Sequence, residues 1–470
     1  MSVRPCPVWM NARARPHALA LVAGERRFTW ADADREVSLA HARLSASGLR
    51  AGDRLVVLSR NSADLAWLAF GAARSGVVWI PLNARLTARE LAPLVTRAAP
   101  SLVLAERALA DRLPGAAALE TFMSTPAPGI DPAPTVDDAL DRAWLFTSGT
   151  TGVPRAAAVT GANFTASSLA SARNLGGGAE ACWLACLPLF HVGGLALLWR
   201  VAEGGGRAVL HEGFLPERVL LDVEAEAVTH LSVVPTGMRR LLQLHAGPAP
   251  RSLRAVLVGG GPCPEALLGE ARSRGWPVLQ TYGLTEATSQ VATERVGEAD
   301  GTTAGLALDG TKLRIEQGEI QVQGPTVMRG YAGDAEAAAR AFTADGWLRT
   351  GDLGALDAHG RLTVFARRTD LVVTGGENVY PAEVEAVLLS HPAVEDAAVC
   401  GIPDPEWGQR VAAAVQLRGT VGKAELERHC RERLAGFKVP RLMRFVHAVP
   451  RNANGKVDRM ALGHLFQKPA

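Results

Sequence analysis

The stretch TSGTTGVPR, residues 147 to 155, combines hydroxyl and glycine residues with a closing Pro154 and Arg155. It follows AWLF, an apolar run of strand length. Hydroxyl groups and backbone amides in such a loop can bind a polyphosphate, and glycine allows the chain to approach it closely. Plain surface turns have the same composition, however, and the P-loop pattern G-x-x-x-x-G-K-[ST] is absent from the chain. The loop by itself therefore leaves both a phosphate site and a simple turn open.

Other stretches could also carry chemistry, and their order along the chain is more informative than any one of them. They are LPLFHVGG (187 to 194), VLVGGGPCP (256 to 264), TYGLTE (281 to 286), WLRTGDLG (347 to 354), VFARRTDLVVTGGENVYPAEVE (364 to 385) and RNANGKVDR (451 to 459). In this order and at these spacings they resemble the adenylate-forming superfamily, which contains acyl-CoA synthetases, luciferases and the adenylation domains of peptide synthetases. The resemblance covers essentially the whole chain. It implies that the loop of residues 147 to 155 binds the β- and γ-phosphates of ATP.

The resemblance implies a reaction in two steps. The carboxylate of an acid attacks the α-phosphate of ATP and expels pyrophosphate, and a thiol then attacks the acyl-adenylate and releases AMP. Because two anions meet in the first step, the site needs cations and well-aimed hydrogen-bond donors. Lys456 matches the superfamily lysine that bridges the carboxylate and the α-phosphate region. Lysine is rare in this arginine-rich chain, occurring otherwise only at positions 312, 423, 438 and 468, which favours a catalytic lysine over a solvated one in a turn.

The same resemblance implies which residues bind the nucleotide. Glu286 corresponds to the ligand of a magnesium ion, which prefers hard oxygen donors, and Thr285 corresponds to the α-phosphate contact. Asp352 and Arg367 correspond to the ribose contacts, and Tyr282 to the residue that stacks on adenine. The complete set expected to bind ATP comprises Thr147, Ser148, Gly149, Thr150, Thr151, Gly152, Arg155, Gly259, Gly260, Gly261, Tyr282, Gly283, Asp352 and Arg367. Without the resemblance, Glu286 would be interpreted as a helix cap and the three consecutive glycines as a turn at a strand end.

In the second step, the superfamily rotates its small C-terminal domain about a hinge. Residues 367 to 370 correspond to that hinge, and Thr369 corresponds to its central position. The rotation would bring the TGGEN stretch to the site, where Gly375 and Gly376 would let the pantetheine arm of CoA pass. Lys438 is a further candidate for contact with the nucleotide or CoA.

Two positions depart from the superfamily pattern. Arg155 stands where lysine is usual, so the positive charge is kept but is carried by a planar group. Thr369 stands where aspartate or lysine is usual, so the hinge lacks a charge. Glu286, Asp352 and Lys456 are nevertheless present, which favours an active enzyme over the alternative of a non-catalytic nucleotide-binding protein.

A narrower resemblance bears on the identity of the acid. The stretches most similar to o-succinylbenzoate–CoA ligases of menaquinone biosynthesis are SARNLG, CWLACLPLFHVGGL, THLSVVPTGMRRLL, TYGLTEATSQ and RRTDLVVTGGENVYPAEVE. Ser289 and Gln290 are then expected to contact the doubly carboxylated substrate, and His191 to guard the acyl pocket, with a plain core histidine as the alternative for His191. Arg239 or Arg240 could supply a positive charge for that substrate, and the favoured alternative is that both are solvated helix residues. A medium-chain fatty acid or an aromatic acid stays an alternative substrate.

Free CoA is the expected acceptor of the acyl group, because only eleven residues follow NGKVDR and none form a carrier segment. A separate carrier protein is the alternative acceptor. The N-terminal stretch lacks the apolar region of a signal peptide, which predicts a cytoplasmic protein. Members of the superfamily are often homodimers, so a homodimer is possible on the resemblance alone.

A mixed α/β fold is expected to position these residues. From about residue 28 to 290, apolar runs of strand length alternate with helical stretches, which is typical of parallel sheets with helices on both faces. Short alternating runs from about 312 to 366 predict a small antiparallel part, and the pattern beyond residue 370 predicts a small α+β module. The predicted parts are an N-terminal domain of stacked α/β subdomains (1–366), the hinge (367–370) and a mobile C-terminal domain (371–470).

Composition argues against several other classes of protein. Fifty basic and 47 acidic residues give a net charge of +3, without the basic patch that nucleic-acid binding needs. The most apolar run, residues 65 to 82, contains Arg74, Gly76 and Pro81 and predicts a buried helix and strand rather than a membrane span. The six cysteines lack the spacing of a zinc site and are predicted to be reduced thiols.

Overall fold

The computed structural model describes residues 2–127, 134–147, 154–261, 263–299, 301–367, 370–374, 377–404, 407–434, 436–452 and 455–467. The chain divides into two compact units, Met1–Leu313 with Gln321–Arg349, and Arg314–Ile320 with Thr350–Ala470. The predicted limits of the N-terminal domain, hinge and C-terminal domain stay a prediction. Within the described ranges, no helix is both long enough and apolar enough to cross a membrane.

Helices and strands alternate through most of the described residues. The helices are α1 (Pro7–Ala14), α2 (Trp30–Ala46), α3 (Ala63–Ser75), α4 (Ala88–Ala98), α5 (Leu119–Ser124), α6 (Gly161–Leu175), α7 (Val192–Gly204), α8 (Pro216–Ala225), α9 (Pro235–Leu244), α10 (Glu265–Ser273), α11 (Ala335–Ala341), α12 (Pro381–Leu389), α13 (Lys423–Arg431) and α14 (Arg459–Gln467). Short 3₁₀ segments occur at Arg107–Arg112, Thr285–Ala287 and Gly436–Lys438.

The strands are β1 (Val3–Pro5), β2 (Leu19–Ala23), β3 (Arg26–Thr29), β4 (Arg54–Leu58), β5 (Val78–Leu82), β6 (Leu102–Ala105), β7 (Ala117–Ala118), β8 (Thr135–Asp137), β9 (Asp141–Thr147), β10 (Arg155–Thr160), β11 (Cys182–Ala185), β12 (Arg207–Leu210), β13 (His230–Val233), β14 (Ala255–Val258), β15 (Val278–Leu284), β16 (Ser289–Thr293), β17 (Leu306–Ala307), β18 (Lys312–Glu316), β19 (Glu319–Gln323), β20 (Gly330–Tyr331), β21 (Leu348–Leu356), β22 (Leu362–Arg367), β23 (Val372–Thr374), β24 (Glu377–Val379), β25 (Val394–Asp404), β26 (Gly408–Leu417) and β27 (Leu442–Val446).

Two large sheets form the first unit. One has the strand order β17-β16-β15-β14-β13-β11-β12-β2-β3, and the other has the order β20-β10-β9-β5-β4-β6-β7. The run from β15 to β2 is parallel, and every residue of β11, β13 and β14 is buried. Continuous burial of this kind is typical of parallel strands covered on both faces. Because parallel strands end at the same edge of a sheet, the loops after β11, β14 and β15 leave from one side.

The apolar run of residues 65 to 82 shows how local sequence produces this packing. It forms most of α3 and then β5, as predicted, and Gly76 ends the helix with a φ of +65°. Ser62 begins the helix by accepting a hydrogen bond from the backbone of Leu65, which satisfies an otherwise unpaired amide. The charge that the run contains, Arg74, is buried in an ion pair with Asp34. The run is therefore a core segment.

The second unit contains a smaller mixed module. A five-stranded sheet has the order β24-β23-β26-β25, with β27 pairing beside β26. The strands β25 and β26 form a long antiparallel pair, and α12 and α13 pack with them around a core of valine, leucine and cysteine side chains. A four-stranded antiparallel sheet has the order β18-β19-β21-β22. The mixed α/β class, the antiparallel part and the α+β module agree with the sequence predictions.

Candidate active site

Two of the predicted nucleotide-binding stretches lie side by side at the carboxyl edge of the nine-stranded sheet. Gly259 to Gly261 follow the end of β14, next to Thr281 of the neighbouring strand β15. A Cβ atom at Gly259 would lie 2.6 Å from Cγ2 and 2.7 Å from the carbonyl oxygen of Thr281, so a larger residue does not fit. Gly260 has a φ of +80°, which favours glycine. The structure thus brings together the glycine turn and the start of the TYGLTE stretch.

The TYGLTE stretch continues from β15 into a tight turn. Gly283 lies opposite Gln290 of the antiparallel strand β16, and a Cβ atom at Gly283 would come within 1.9 Å of the carbonyl oxygen of Ser289. Thr288 and Ser289 have φ values of +53° and +86°, which are unusual for residues other than glycine. The 3₁₀ segment Thr285–Ala287 lies within this turn. A close backbone approach and a strained corner therefore fix the segment that carries two predicted site residues.

Contacts from other elements support the turn. The hydroxyl of Ser167 in α6 donates to the carbonyl oxygen of Thr288 at 2.7 Å, and the hydroxyl of Thr288 donates to the carbonyl oxygen of Thr326 at 2.6 Å. Tyr282 lies in β15 and Thr285 begins the 3₁₀ segment. Their contacts with adenine and the α-phosphate stay predictions.

The side chain of Glu286 is held from strand β20. The hydroxyl of Tyr331 donates to Oε1 of Glu286 at 3.0 Å, and the amide of Met328 donates to the carbonyl oxygen of Glu286 at 2.8 Å. The guanidinium carbon of Arg155 lies 5.6 Å from the centre of the Tyr331 ring. No motif pointed to Tyr331, which is 45 residues from Glu286 along the chain. Strand pairing brings Arg155, Tyr331 and Glu286 together.

The surroundings of Glu286 fit a magnesium ion that is bound together with a nucleotide. Among the described residues, no three histidine, cysteine, aspartate or glutamate side chains are close enough to form a metal site by themselves. Magnesium is commonly held by one or two carboxylates together with phosphate oxygens of its substrate. The bond from Tyr331 engages Oε1 of Glu286, and the other carboxylate oxygen is a suitable hard donor.

The ends of the TSGTTGVPR loop are well defined. Thr147 ends β9, Arg155 begins β10, and the two residues are opposite each other in the antiparallel register. The hydroxyl of Thr147 donates to the carbonyl oxygen of Arg155 at 3.4 Å. The predicted site residues that lie outside the described part of the chain are Ser148, Gly149, Thr150, Thr151, Gly152, Thr369, Gly375 and Gly376.

A buried arginine that the sequence interpretation missed lies beside the predicted acid-binding residues. The guanidinium of Arg200 donates to the hydroxyl of Ser289 at 3.1 Å and lies 5.5 Å over the ring of Trp183. Its Nε has no hydrogen-bond partner among the described residues, and burial lowers the pKa of Arg200 to about 10. Gln290 is also buried and donates to the hydroxyl of Thr293 at 2.9 Å. The structure therefore places a cation that has no carboxylate partner among the described residues next to the hydroxyl of Ser289.

His191 immediately precedes α7, the helix that carries Arg200. Its ring centre lies 4.6 Å from that of Phe190. The preceding turn is held by buried Asn61, which donates to the carbonyl oxygen of Leu187 at 3.0 Å and accepts from the amide of Leu189 at 2.8 Å. Asn61 is another functional candidate that no motif indicated, since it belongs to a different part of the chain. The role of His191 as a guard of the acyl pocket stays a prediction.

The two predicted ribose residues belong to paired strands of the second unit. Asp352 of β21 is buried, and its backbone lies opposite that of Arg367 of β22. The hydroxyl of Thr350 donates to the carbonyl oxygen of Ile320 at 2.6 Å and accepts from the amide of Asp352 at 3.0 Å. The register thus brings Asp352 and Arg367 to adjacent positions, and their contact with a ribose stays a prediction.

Lys456 lies in an exposed turn of the second unit. The amide of Asn452 donates to the carbonyl oxygen of Lys456 at 2.8 Å, and the amide of Lys456 donates to Oδ1 of Asn452 at 3.1 Å. Gly455 has a φ of +76°, which the turn requires and glycine tolerates. The guanidinium of Arg451 donates to the carbonyl oxygen of Gly455 at 3.0 Å and pairs with Asp396 at 2.6 Å. Arg451 thus connects the turn to the neighbouring sheet.

Two other cations of the second unit are held by carboxylates. The ammonium group of Lys438 lies 2.6 and 2.8 Å from the two carboxylate oxygens of Glu383. Arg459, at the start of α14, pairs with Asp370 at 3.1 Å and Glu385 at 3.0 Å. The predicted contact of Lys438 with a nucleotide or CoA stays a prediction, and Lys438 would have to make it alongside or instead of its bond with Glu383.

Comparison with known protein families gives two matches. Residues 8–332 match the AMP-binding enzyme family, and residues 383–456 match the AMP-binding enzyme C-terminal domain. The chain belongs to the AMP-binding enzyme family. The first match includes Arg155, Glu286 and Tyr331, and the second ends at Lys456. The resemblance inferred from the motifs is therefore confirmed.

Curated relatives of this AMP-binding enzyme are similar to it over nearly their full lengths. The 2-succinylbenzoate–CoA ligase of Bacillus licheniformis is 38% identical, over 97% of this chain and 99% of the relative. The 2-succinylbenzoate–CoA ligase of Bacillus subtilis strain 168 is 35% identical, over 97% of each chain.

Solved structures show the same fold. The o-succinylbenzoate CoA synthetase (MenE) of Bacillus subtilis in complex with the acyl-adenylate intermediate OSB-AMP has a TM-score of 0.93 at 34% identity, covering 98% of both chains. The same enzyme in complex with ATP and magnesium ion has a TM-score of 0.92 at 34% identity, covering 98% of this chain and 99% of that one. ATP-bound MatB from Rhodopseudomonas palustris has a TM-score of 0.88 at 28% identity, with coverage of 98% and 99%.

Proposed function

We propose that this AMP-binding enzyme is an AMP-forming acid–thiol ligase. It converts o-succinylbenzoate, ATP and CoA into o-succinylbenzoyl-CoA, AMP and pyrophosphate, a step of menaquinone biosynthesis. The full-length similarity to 2-succinylbenzoate–CoA ligases supports the reaction class. The observation that carries the choice of acid is the buried pairing of Arg200 with Ser289.

The chemistry of the acid explains why that pairing is informative. o-Succinylbenzoate has two carboxylates, of which one reacts with ATP and the other stays ionised. A carboxylate that leaves water needs a cation and hydrogen-bond donors in exchange. Arg200 is buried and makes no ion pair with any carboxylate that the structure describes. An acid with a second carboxylate would neutralise this charge, whereas a fatty acid would leave it buried and unpaired.

Adenylation then requires the attacking carboxylate and the α-phosphate to be held together. Lys456 would supply the cation between the two reacting groups, and Thr285 would donate to the α-phosphate. Glu286, held by Tyr331, would bind the magnesium ion, whose charge offsets that of the phosphate oxygens. Asp352 would accept hydrogen bonds from the ribose hydroxyls.

Thiolation needs a different arrangement of the same chain. The thiol sulfur of CoA forms a bond with the acyl carbon, and the bond from that carbon to the phosphate oxygen of AMP breaks. We propose that the second unit turns about residues 367–370, removes Lys456 and brings Gly375 and Gly376 to the passage of the pantetheine arm. The absence of side chains at these two positions would give that arm room.

We also propose where this enzyme acts in the cell and how its chains assemble. ATP and CoA are metabolites of the cytoplasm, so the cytoplasm is the proposed site of the reaction. A homodimer is the proposed assembly, since members of the superfamily are often dimeric. Sedimentation velocity at enzyme concentrations from 1 to 50 µM, a range chosen to span typical dimer affinities of roughly micromolar or tighter, measures the oligomeric state directly.

The decisive experiment compares acids. Purified protein is incubated with ATP, magnesium, CoA and, separately, o-succinylbenzoate, benzoate and a series of fatty acids, and AMP, pyrophosphate and acyl-CoA are measured. We expect a strong preference for o-succinylbenzoate with equal amounts of AMP and acyl-CoA. Preference for a medium-chain or aromatic acid would keep the ligase chemistry and reject the menaquinone assignment. Absence of AMP with every acid would favour a non-catalytic nucleotide-binding protein, and activity only with a pantetheinylated carrier would reject CoA as the acceptor.

A further inference from the structure

The position of Arg155 raises a question that its charge alone does not answer. Superfamily members usually have lysine here, and a lysine ammonium acts as a point charge, whereas a guanidinium is planar and stacks on aromatic rings. In this chain the guanidinium carbon of Arg155 is 5.6 Å from the centre of the Tyr331 ring, within the range of a cation–π contact. Arg155 therefore makes a contact that depends on the shape of its side chain.

The same ring connects Arg155 to the predicted magnesium ligand. The hydroxyl of Tyr331 donates to Oε1 of Glu286 at 3.0 Å, so one aromatic side chain contacts the guanidinium through its face and the carboxylate through its edge. At 3.0 Å this bond is at the long end of the range for O–H···O hydrogen bonds, so it orients the carboxylate with modest strength. Rotation of the ring away from Arg155 would displace the hydroxyl from Glu286.

The backbone around this ring is held on both sides. The strands β10 and β20 pair antiparallel, with Ala157 opposite Tyr331. The amide of Ala332 donates to the carbonyl oxygen of Ala156 at 2.8 Å, and the amide of Met328 donates to the carbonyl oxygen of Glu286 at 2.8 Å. Because the backbones of all three elements are fixed, the remaining freedom lies in the side chains of Arg155, Tyr331 and Glu286.

The neighbouring carboxylate of Asp334 attracts Arg155 through space, but its ion pair is with another arginine. Asp334 pairs with Arg97 at 2.7 Å, and Arg97 also donates to the carbonyl oxygen of Pro154 at 3.4 Å. Among the carboxylates that the structure describes, none forms an ion pair with Arg155. Among the described residues, the ring of Tyr331 is the side chain in cation–π contact with the guanidinium, and Asp334 adds an attraction at longer range.

We propose that Arg155 and Tyr331 act together as positioning residues for Glu286. Arg155 holds the Tyr331 ring, and the Tyr331 hydroxyl holds one oxygen of the carboxylate so that the other is directed to the divalent ion of the metal–ATP complex. The inference rests on the proposed function, because it assigns Glu286 to that ion. It differs from a role for Arg155 as a simple charge near the phosphates, which lysine would fill equally well.

Variants separate the parts of this arrangement. Tyr331→Phe keeps the ring and removes the hydroxyl, whereas Tyr331→Leu removes both. Arg155→Lys keeps the charge and removes the planar group, whereas Arg155→Met removes both. Arg54→Lys is a matched control, because it removes another arginine–aromatic contact of the same sheet, 6.0 Å over Trp144.

The readout is metal binding and does not require turnover. The dissociation constant of Mn²⁺ from the protein with α,β-methylene-ATP is measured by electron paramagnetic resonance, and thermal unfolding confirms that each variant is folded. We expect Tyr331→Phe and Arg155→Lys each to raise the constant about 3- to 10-fold, in line with the loss of one charge-assisted contact. Arg155→Lys in the Tyr331→Leu background should add less than 2-fold, because residues that act through one another are not additive. Arg54→Lys should leave the constant unchanged.

Two results would overturn the inference. Normal Mn²⁺ binding by Tyr331→Phe would show that the hydroxyl does not position Glu286. Normal binding by Arg155→Lys together with weak binding by Arg155→Met would show that Arg155 acts by charge alone. Failure of the proposed function would give a different result. Wild-type protein that binds the Mn²⁺–nucleotide complex but turns over no acid would reject the ligase reaction. The comparison of variants would still decide the role of Arg155.

Discussion

The two units hold their predicted site residues in different ways. Glu286, in the first unit, lies in a turn between paired strands, and its carboxylate is bonded to Tyr331 from another strand. Lys456, in the second unit, lies in an exposed turn whose bonds come from the turn itself and from Arg451. We expect a group that must match a bound ligand to benefit from a packed sheet, and a cation proposed to act in one half-reaction to suit an exposed turn. The comparison predicts that substitutions at the two sites affect different steps.

Two arginines, the half-buried Arg459 and the buried Arg200, show the same contrast in electrostatic terms. Burial opposes the charged form of Arg459, but the neighbouring Glu385 and Asp370 outweigh burial and raise its pKa. Burial lowers the pKa of Arg200 to about 10, and no carboxylate in the described ranges offsets that effect. A buried cation with partners stabilises the fold, whereas one without a partner costs stability and is retained for a function. Arg459 is therefore structural and Arg200 is the candidate for ligand recognition.

The largest expected effect comes from Lys456→Ala. Adenylate formation should fall by about two orders of magnitude or more, because the charge it removes acts mainly in the transition state. Thiolation of supplied acyl-adenylate should largely survive. Pyrophosphate exchange and single-turnover acyl-CoA formation measure the two steps, with Lys423→Ala as a control lysine on the surface of α13. An equal loss in both steps would contradict the proposed turn of the second unit between adenylation and thiolation.

A smaller and more selective effect is expected from Arg200→Met. The value of kcat/KM for o-succinylbenzoate should fall about 10- to 100-fold, equivalent to roughly 1.4–2.7 kcal/mol, because the second carboxylate loses its cation. The value for benzoate, which lacks that carboxylate, should change little. Thermal stability should stay the same or rise, since methionine replaces a buried charge with a side chain of similar length. Marked destabilisation with equal losses for both acids would instead make Arg200 structural.

Arg451→Met should have a still smaller effect on activity, because it alters only the support of the turn that carries Lys456. Removing the bonds to Gly455 and Asp396 loosens the turn, and we expect adenylation to slow about 3- to 10-fold, a modest loss because exposed pairs contribute little. Thiolation should not change. In a Lys456→Ala background, Arg451→Met should have no further effect on adenylation. An additional loss in that background would show that Arg451 acts independently of Lys456.

Sequence motifs indicated the candidate site residues that lie within short, distinctive stretches of the chain. Glu286 and Lys456 each lie within a distinctive stretch, and the structure places both in tight turns, although their roles stay predictions. Arg200 and Tyr331 were missed because each contacts its partner from a distant element, at separations of 89 and 45 residues. No local pattern distinguishes Arg200 from another arginine of an apolar helix, and only the folded chain brings its guanidinium to Ser289.

The sequence likewise predicted the types of sheet but not the order of their strands. Alternation of strands and helices predicted the parallel sheets, and short polar–apolar runs predicted the antiparallel part. Strand order was not predictable, because β2 and β3 lie at the start of the chain yet pair beyond β12 in the nine-stranded sheet. Such pairing depends on contacts far apart in sequence, which periodicity does not report.

Alkylating reagents should leave the activity of the native protein unchanged, because the cysteines of both units react slowly. All six are unpaired, and burial raises the pKa to about 11 for Cys182 and about 12 for Cys186 in the first unit. Burial likewise raises the pKa of Cys400 and Cys430, in the second unit, to about 11. A thiol with a pKa of 11 is about one part in a thousand thiolate at pH 8, so iodoacetamide should not inactivate the native protein within an hour. Rapid inactivation would show that a thiol is accessible in the native state.

The same cysteines report separately on each unit during unfolding. The core of the second unit is smaller, so its stability margin should be narrower. Under increasing urea at pH 8, pulsed alkylation with mass spectrometry should label Cys400 and Cys430 at lower concentrations than Cys182 and Cys186. Labelling of all four cysteines at one urea midpoint would mean that the two units unfold together. The contrast between the held Glu286 and the exposed Lys456 would then reflect the exposure of the Lys456 turn and not a lower stability of the second unit.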